Sequence, residues 1–161
     1  MSDAATSRAS GVARSYEVLR PKILQRLLDL RGTLDPSLAR LDDVTARAQV
    51  NAVLEHLGNF IATGDVGLHR AFLHTFLAMR AAEAQSPASV LTMLVAIGDT
   101  AAQVAQDEGA GTSEGSELTL LLTRVTASTA RVVNDLLADE LANRIDQWSK
   151  LQRRDTEVPG T

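Results

Sequence analysis

Few residues in this chain could bind or transform anything, and the three histidines, His56, His69 and His74, come first. His69 and His74 stand five positions apart, about 140° around a helix, so they do not share a face as an i, i+4 metal pair does. Glu55 and His56 are adjacent and diverge, and neither His-Glu-x-x-His nor the paired Glu-x-x-His of a di-iron bundle occurs. A haem asks for one proximal histidine only, which keeps His69, His74 and His56 open as ligands if a haem or tetrapyrrole binds. Their plainer reading is as surface or half-buried imidazoles with ordinary partners, with no metal and no cofactor. Cysteine is absent, and with it disulfides, thiolate zinc sites and thiol catalysis. No Gly-x-Ser-x-Gly elbow is expected, nor a strand that could present one. The glycine-rich run Gly109-Ala110-Gly111-Thr112-Ser113-Glu114-Gly115 lacks the lysine of a phosphate-binding loop. The carboxylates Asp99, Asp107, Glu108, Asp135, Asp139 and Glu140 fall on expected helices or at their ends, where caps and solvated faces account for them. The expectation is a protein that is not an enzyme.

Composition points the same way. The 161 residues suffice for one domain, and 45% apolar with 22% charged residues is the balance of a folded chain. Alanine (24) and leucine (23) dominate, and only Tyr16, Phe60, Phe72, Phe76 and Trp148 are aromatic, so the chain reads as all-α. A net charge of −4 discourages nucleic-acid binding. Basic clusters at Arg20, Lys22, Arg26 and Arg31, and at Lys150, Arg153 and Arg154, read as solvent-facing charge. The N-terminus lacks the apolar core of a secretory signal, and Val90 to Ile97 falls short of the ~20 residues of a membrane span. A cytoplasmic protein without membrane contact is expected.

The elements follow from periodicity and punctuation. Residues 1–15 are expected to be flexible, residues 16–152 a single helical domain, and residues 153–161 a flexible tail. Tyr16, Leu19, Ile23, Leu24, Leu27, Leu28 and Leu30 recur at helical spacing, with Pro21 placed in the first turn and Gly32 at the end. Asp35-Pro36 is a cap-plus-proline start, and a separate short turn over Pro36 to Leu41 stays open. A second helix follows Asp42-Asp43 and runs to Thr63-Gly64. A third is capped by Asp65 and carries Leu68, Phe72, Leu73, Phe76, Leu77 and Met79. The fourth starts at Ser86-Pro87 and ends near Gly109. Gly98 inside it costs up to ~1 kcal/mol relative to alanine and marks a close helix contact. After the Gly109–Gly115 loop, Leu118 to Leu151 holds neither glycine nor proline and reads as one helix. The fold class is therefore a globin-like or related bundle of five to six helices with a long C-terminal helix.

That last helix is informative through its length. Roughly 35 residues extend for about 50 Å, against a diameter on the order of 40 Å for a compact domain of this size. Leu137, Leu141, Ile145 and Trp148 continue an apolar stripe along its C-terminal half, between the i, i+4 pairs Glu140–Arg144 and Asp146–Lys150. A stripe that outruns its domain calls for a partner, and a second copy is the simplest one. The alternative folds it back onto the first helix within a monomer.

One resemblance gathers these signals. Leu54-x-x-Leu57-x-x-Phe60-Ile61-x-x-Gly64-Asp65 is followed by Phe72-Leu73-x-x-Phe76-Leu77-Ala78-x-Arg80. Beyond Ser86-Pro87 comes Val90-Leu91-x-x-Leu94-x-x-Ile97. Over roughly Pro21 to Gln106 this pattern resembles the N-terminal sensory domain of the stressosome co-antagonist (RsbR-type) family. The resemblance implies a globin-like fold without haem that dimerises and passes a stress signal along its C-terminal helix to other signalling proteins. Residues such as Thr126, Ser128, Thr129 and Ala130 would make that helix cheaper to shift than a continuous leucine core. The resulting expectation is a sensory or regulatory module working through protein contacts as a homodimer, by way of Leu137, Leu141, Ile145 and Trp148. A ligand-free helical adaptor or scaffold subunit, and a haem- or tetrapyrrole-binding globin-like protein, are the alternatives.

Overall fold

The computed structural model describes residues 2–34 and 36–156, with side chains described for 11–34, 36 and 38–153. The described residues form helices only: α1 (Ser2–Leu34), α2 (Pro36–Ala39), α3 (Asp43–Thr63), α4 (Val66–Ala82), α5 (Pro87–Glu108) and α6 (Ser113–Thr156). The molecule is an all-α bundle with a long C-terminal helix, as its composition indicates.

The helix starts are built from short polar side chains. Asp42 caps α3, accepting hydrogen bonds from the Val44 and Thr45 backbone N–H groups at 3.0 and 2.9 Å. The Thr45 hydroxyl also donates to it, and these bonds hold the Asp42 carboxyl below its ordinary pKa. Asp65 accepts from Leu68 N–H at 2.9 Å to cap α4, and Ser86 accepts from Ser89 N–H to cap α5, with Pro87 in the first turn. Gly64 ends α3 at φ 64°, a left-handed conformation that costs glycine nothing. Asp35, the expected cap before Pro36, lies outside the described residues, as do Pro159 and Gly160.

Three boundaries differ from the sequence reading, the simplest being the end of α6, which runs to Thr156 and so takes in residues 153–156 of the expected flexible tail. α1 starts at Ser2, well before the start expected near Tyr16, and so carries Pro21 in its interior rather than its first turn. An interior proline costs about 3 kcal/mol. Here Val12, Tyr16, Ile23 and Leu27 are all buried along one side of α1, spanning the proline, while Pro21 is exposed. Core burial on both flanks outweighs the lost hydrogen bond. α6 starts inside the expected Gly109–Gly115 loop, and Gly115 lies in its first turn. A Cβ on Gly115 would meet the Gly109 carbonyl oxygen at 2.4 Å, so the tight α5–α6 turn requires a bare backbone at both positions.

α5 and α6 form the main antiparallel pair. Val90, Met93, Leu94, Ile97, Ala101 and Ala105 of α5 share one core with Leu118, Leu122, Val125 and Val133 of α6. Gly98 lets the two helices touch: a Cβ there would stand 2.0 Å from Thr126 Oγ1. α1 crosses α3 in the same way. Gly58 faces the Tyr16 ring, whose buried hydroxyl donates to the Leu54 carbonyl at 2.7 Å. Burial pushes the Tyr16 pKa up. α5, with mean hydropathy 1.4 over its apolar window, is the only helix among the described residues long and apolar enough to cross a membrane. Half of that window is buried inside the bundle, which accounts for its apolarity as core packing.

Candidate functional site

α6 divides into two stretches. Up to Leu137 it packs on the bundle, with Leu118, Leu122 and Val133 fully buried. From Ala138 to Arg153 every side chain but Ser149 is exposed. Helical continuity there owes nothing to tertiary burial. It rests on good helix formers and on the ion pairs Glu140–Arg144 and Asp146–Lys150, the latter at 2.6 Å. Of the four expected stripe residues, Leu137 is half-buried against the core, whereas Leu141, Ile145 and Trp148 are 60%, 59% and 65% exposed, and Leu151 joins them at 58%. A contiguous run of large exposed apolar side chains at helical spacing on one element is unusual for an isolated soluble surface.

At the foot of this projection α4, α5 and α6 leave a groove of ≈ 580 Å³. Leu77, Val90, Leu136 and Leu137 line its apolar floor, and Asp139 and Glu140 its rim. Asp139 pairs with Arg70 at 3.1 Å, an exposed bridge between α4 and α6 at the point where the projection leaves the bundle. Arg80, on the core-facing side of α4, is 4% exposed. Its Nη1 lies 2.9 Å from the Glu83 carboxylate and its guanidinium stands 5.3 Å from the centre of the Phe76 ring. What marks this arginine off from the solvent-facing ones is its step of four from Phe76 and seven from Leu73, which puts it on the buried side of α4.

The histidines divide as helical geometry requires. His74 is exposed at the groove rim, away from His69. His69 is buried and meets His56 across the α3–α4 hairpin: His56 Nε2 and His69 Nδ1 share a hydrogen bond at 2.9 Å, and His69 Nε2 pairs with Thr129 Oγ1 of α6 at 3.0 Å. Phe72 stacks on His56 with ring centres 3.8 Å apart, and Phe60 on His69 at 4.5 Å. Burial, with the neighbouring His69, pushes the His56 pKa down to about 4, and burial lowers His69. Both rings are neutral at pH 7. Spacing along one helix could not reveal this pair. The signal was the Gly64-Asp65 turn, which folds α4 back along α3 and brings together residues on either side of it.

This site does not fit a haem. The cavity beside His56, His69 and Thr129 measures ≈ 30 Å³, room for about one water, and both imidazoles already bond to one another. His74 stands on an open groove whose rim carries carboxylates, rather than in an enclosing apolar slot. No group of three or more His, Asp or Glu side chains suited to a metal occurs among the described residues. Contrary to the expectation that no Gly-x-Ser-x-Gly elbow occurs, Gly111-Thr112-Ser113-Glu114-Gly115 spells that motif, but it joins two helices where a nucleophile elbow follows a strand. Comparison with known proteins finds no matching family model, no matching curated protein and no matching solved structure.

Proposed function

We infer that this chain is a non-enzymatic sensory or regulatory module that dimerises through the projecting part of α6 and acts on other signalling proteins by contact. The observation that carries this reading is the exposed stripe of Leu141, Ile145 and Trp148 on a helix that has left its own bundle. Burying such side chains stabilises an association by roughly 1.5–3 kcal/mol each, before the cost of bringing two molecules together is met. The likeness to stressosome sensory domains favours the same reading. α6 also supplies a route for a signal: one unbroken helix joins Thr129, bonded to the buried His69, to the exposed tip. A ligand or partner that favoured one packing of the bundle around Thr129 would reposition that tip as a rigid lever.

Trp148 is the only tryptophan and reports on the stripe directly. On dilution from high micromolar to nanomolar concentration its emission is expected to shift to the red as the indole leaves a dimer interface. Emission typical of water-exposed indole at every concentration contradicts the reading.

A further inference from the structure

The geometry points to an antiparallel pairing of the two projecting helices, with a two-fold axis level with Asp146. This inference rests on the dimer proposed above and goes beyond it by fixing the orientation. The exposed part of α6 is read as heptads in which Leu141 and Trp148 take the a positions, Leu137, Arg144 and Leu151 the d positions, and Ile145 the adjacent e position. An arginine thus sits in the middle of the seam, and its neighbours decide the orientation.

In a parallel pair each seam residue faces its own copy, so Arg144 would lie against the partner's Arg144 and Trp148 against the partner's Trp148. Two guanidinium groups in one desolvating layer repel. In an antiparallel pair a positions face d positions. Leu141 then meets the partner's Leu151, and each Arg144 lies over the partner's Trp148, the best aromatic partner for a cation. Glu140, which accompanies Arg144 on its own helix in either arrangement, does not discriminate between them.

Two further observations agree. Asp139 and Glu140 lie near the base of the projection, with Arg144 the one basic residue there, and Lys150 and Arg153 lie in its outer part, so antiparallel pairing brings Asp139 level with the partner's Arg153 and also opposes the helix dipoles. The lengths match as well. The described exposed stretch runs from Ala138 to Arg153, centred within a residue of Asp146, so the partner's Arg153 lies level with Asp139, on the rim of the groove.

The absence of native cysteine permits a direct test. Ala138 is exposed and lies beside the seam, so Ala138→Cys carrying a nitroxide leaves the fold alone. Antiparallel pairing separates the two labels by about 24 Å along the axis, and the same measurement at Gln152→Cys gives about 18 Å. Parallel pairing leaves only the roughly 8–10 Å between helix axes plus the label arms at both positions. The long distances, with Ala138→Cys the longer, establish the orientation. Short, equal distances in a dimer overturn it and leave the dimer standing. A monomer by mass overturns orientation and dimer together.

Discussion

The two stretches of α6 share one backbone and both repeat large apolar side chains at helical spacing, yet they stand in opposite surroundings. Between Leu118 and Val133 the leucines and valines at helical spacing are buried to the last few per cent, and polar side chains at Thr126 and Thr129 have partners: Thr126 donates to the Leu122 carbonyl and closes on Gly98, and Thr129 bonds His69. Between Leu141 and Leu151 similar apolar spacing meets water. The difference teaches that periodicity reports which face wants cover, and that the cover itself is decided by where the other helices stop. α5 begins at Pro87 and α4 is capped at Glu83, so among the described residues none covers the helix beyond about residue 140.

Paired truncations make this comparison quantitative. Leu122→Ala should cost about 2–5 kcal/mol of unfolding free energy through the cavity it leaves, read from urea denaturation. Leu141→Ala removes the same atoms and should leave the protomer's own stability within about 0.5 kcal/mol while weakening self-association. Equal costs at the two sites would mean that α6 is not divided as described. Next in size is the contact that fixes the bundle half. Gly98→Ala forces Thr126 aside and should destabilise by about 1–3 kcal/mol. Adding Thr126→Ala, which removes the hydroxyl oxygen 2.0 Å from the new Cβ together with the methyl group, should recover part of that loss, and no recovery would place the clash elsewhere.

The histidine anchor adds a pH dependence. His56 and His69 are held neutral in the folded state, whereas their unfolded pKa is 6.5. Below that value the unfolded chain binds protons that the folded chain refuses. Stability is therefore whole above about pH 6.5 and falls as pH drops toward 4, through the folded range of His56. Denaturation midpoints between about pH 5 and 7 should show this slope, and His56→Gln should flatten it. A midpoint that does not move in the wild type over that window would contradict the buried pair. The smallest effect is expected away from α6. Ala84 holds φ 60° between α4 and α5, and Ala84→Gly should stabilise by about 0.5–1 kcal/mol by removing that strain.

Much of this architecture was legible residue by residue. Asp42, Asp65 and Ser86-Pro87 mark helix starts because a short oxygen-bearing side chain before an apolar periodic run has one economical use. Gly98 signalled close contact because a glycine inside a helix is tolerated where no Cβ fits. The N-terminal extent of α1 was not legible, since its first residues lack an apolar stripe and the burial of Val12 depends on where the other helices lie. The His56–His69–Thr129 chain escaped for a related reason. Its members come from three helices, and no local pattern encodes a meeting that only the Gly64 turn and the α4–α6 packing create. Arg80 was read as an element of a motif, while its burial follows from lying on the same side of α4 as His69, Leu73 and Phe76.

The mass of the purified chain in solution, by light scattering across a wide range of concentration, tests the central claim most directly. The account predicts twice the 17.2 kDa protomer mass at micromolar concentration, reverting to a single protomer when Ile145→Glu places charge in the stripe. A wild-type protein that stays at 17.2 kDa at every concentration would contradict it.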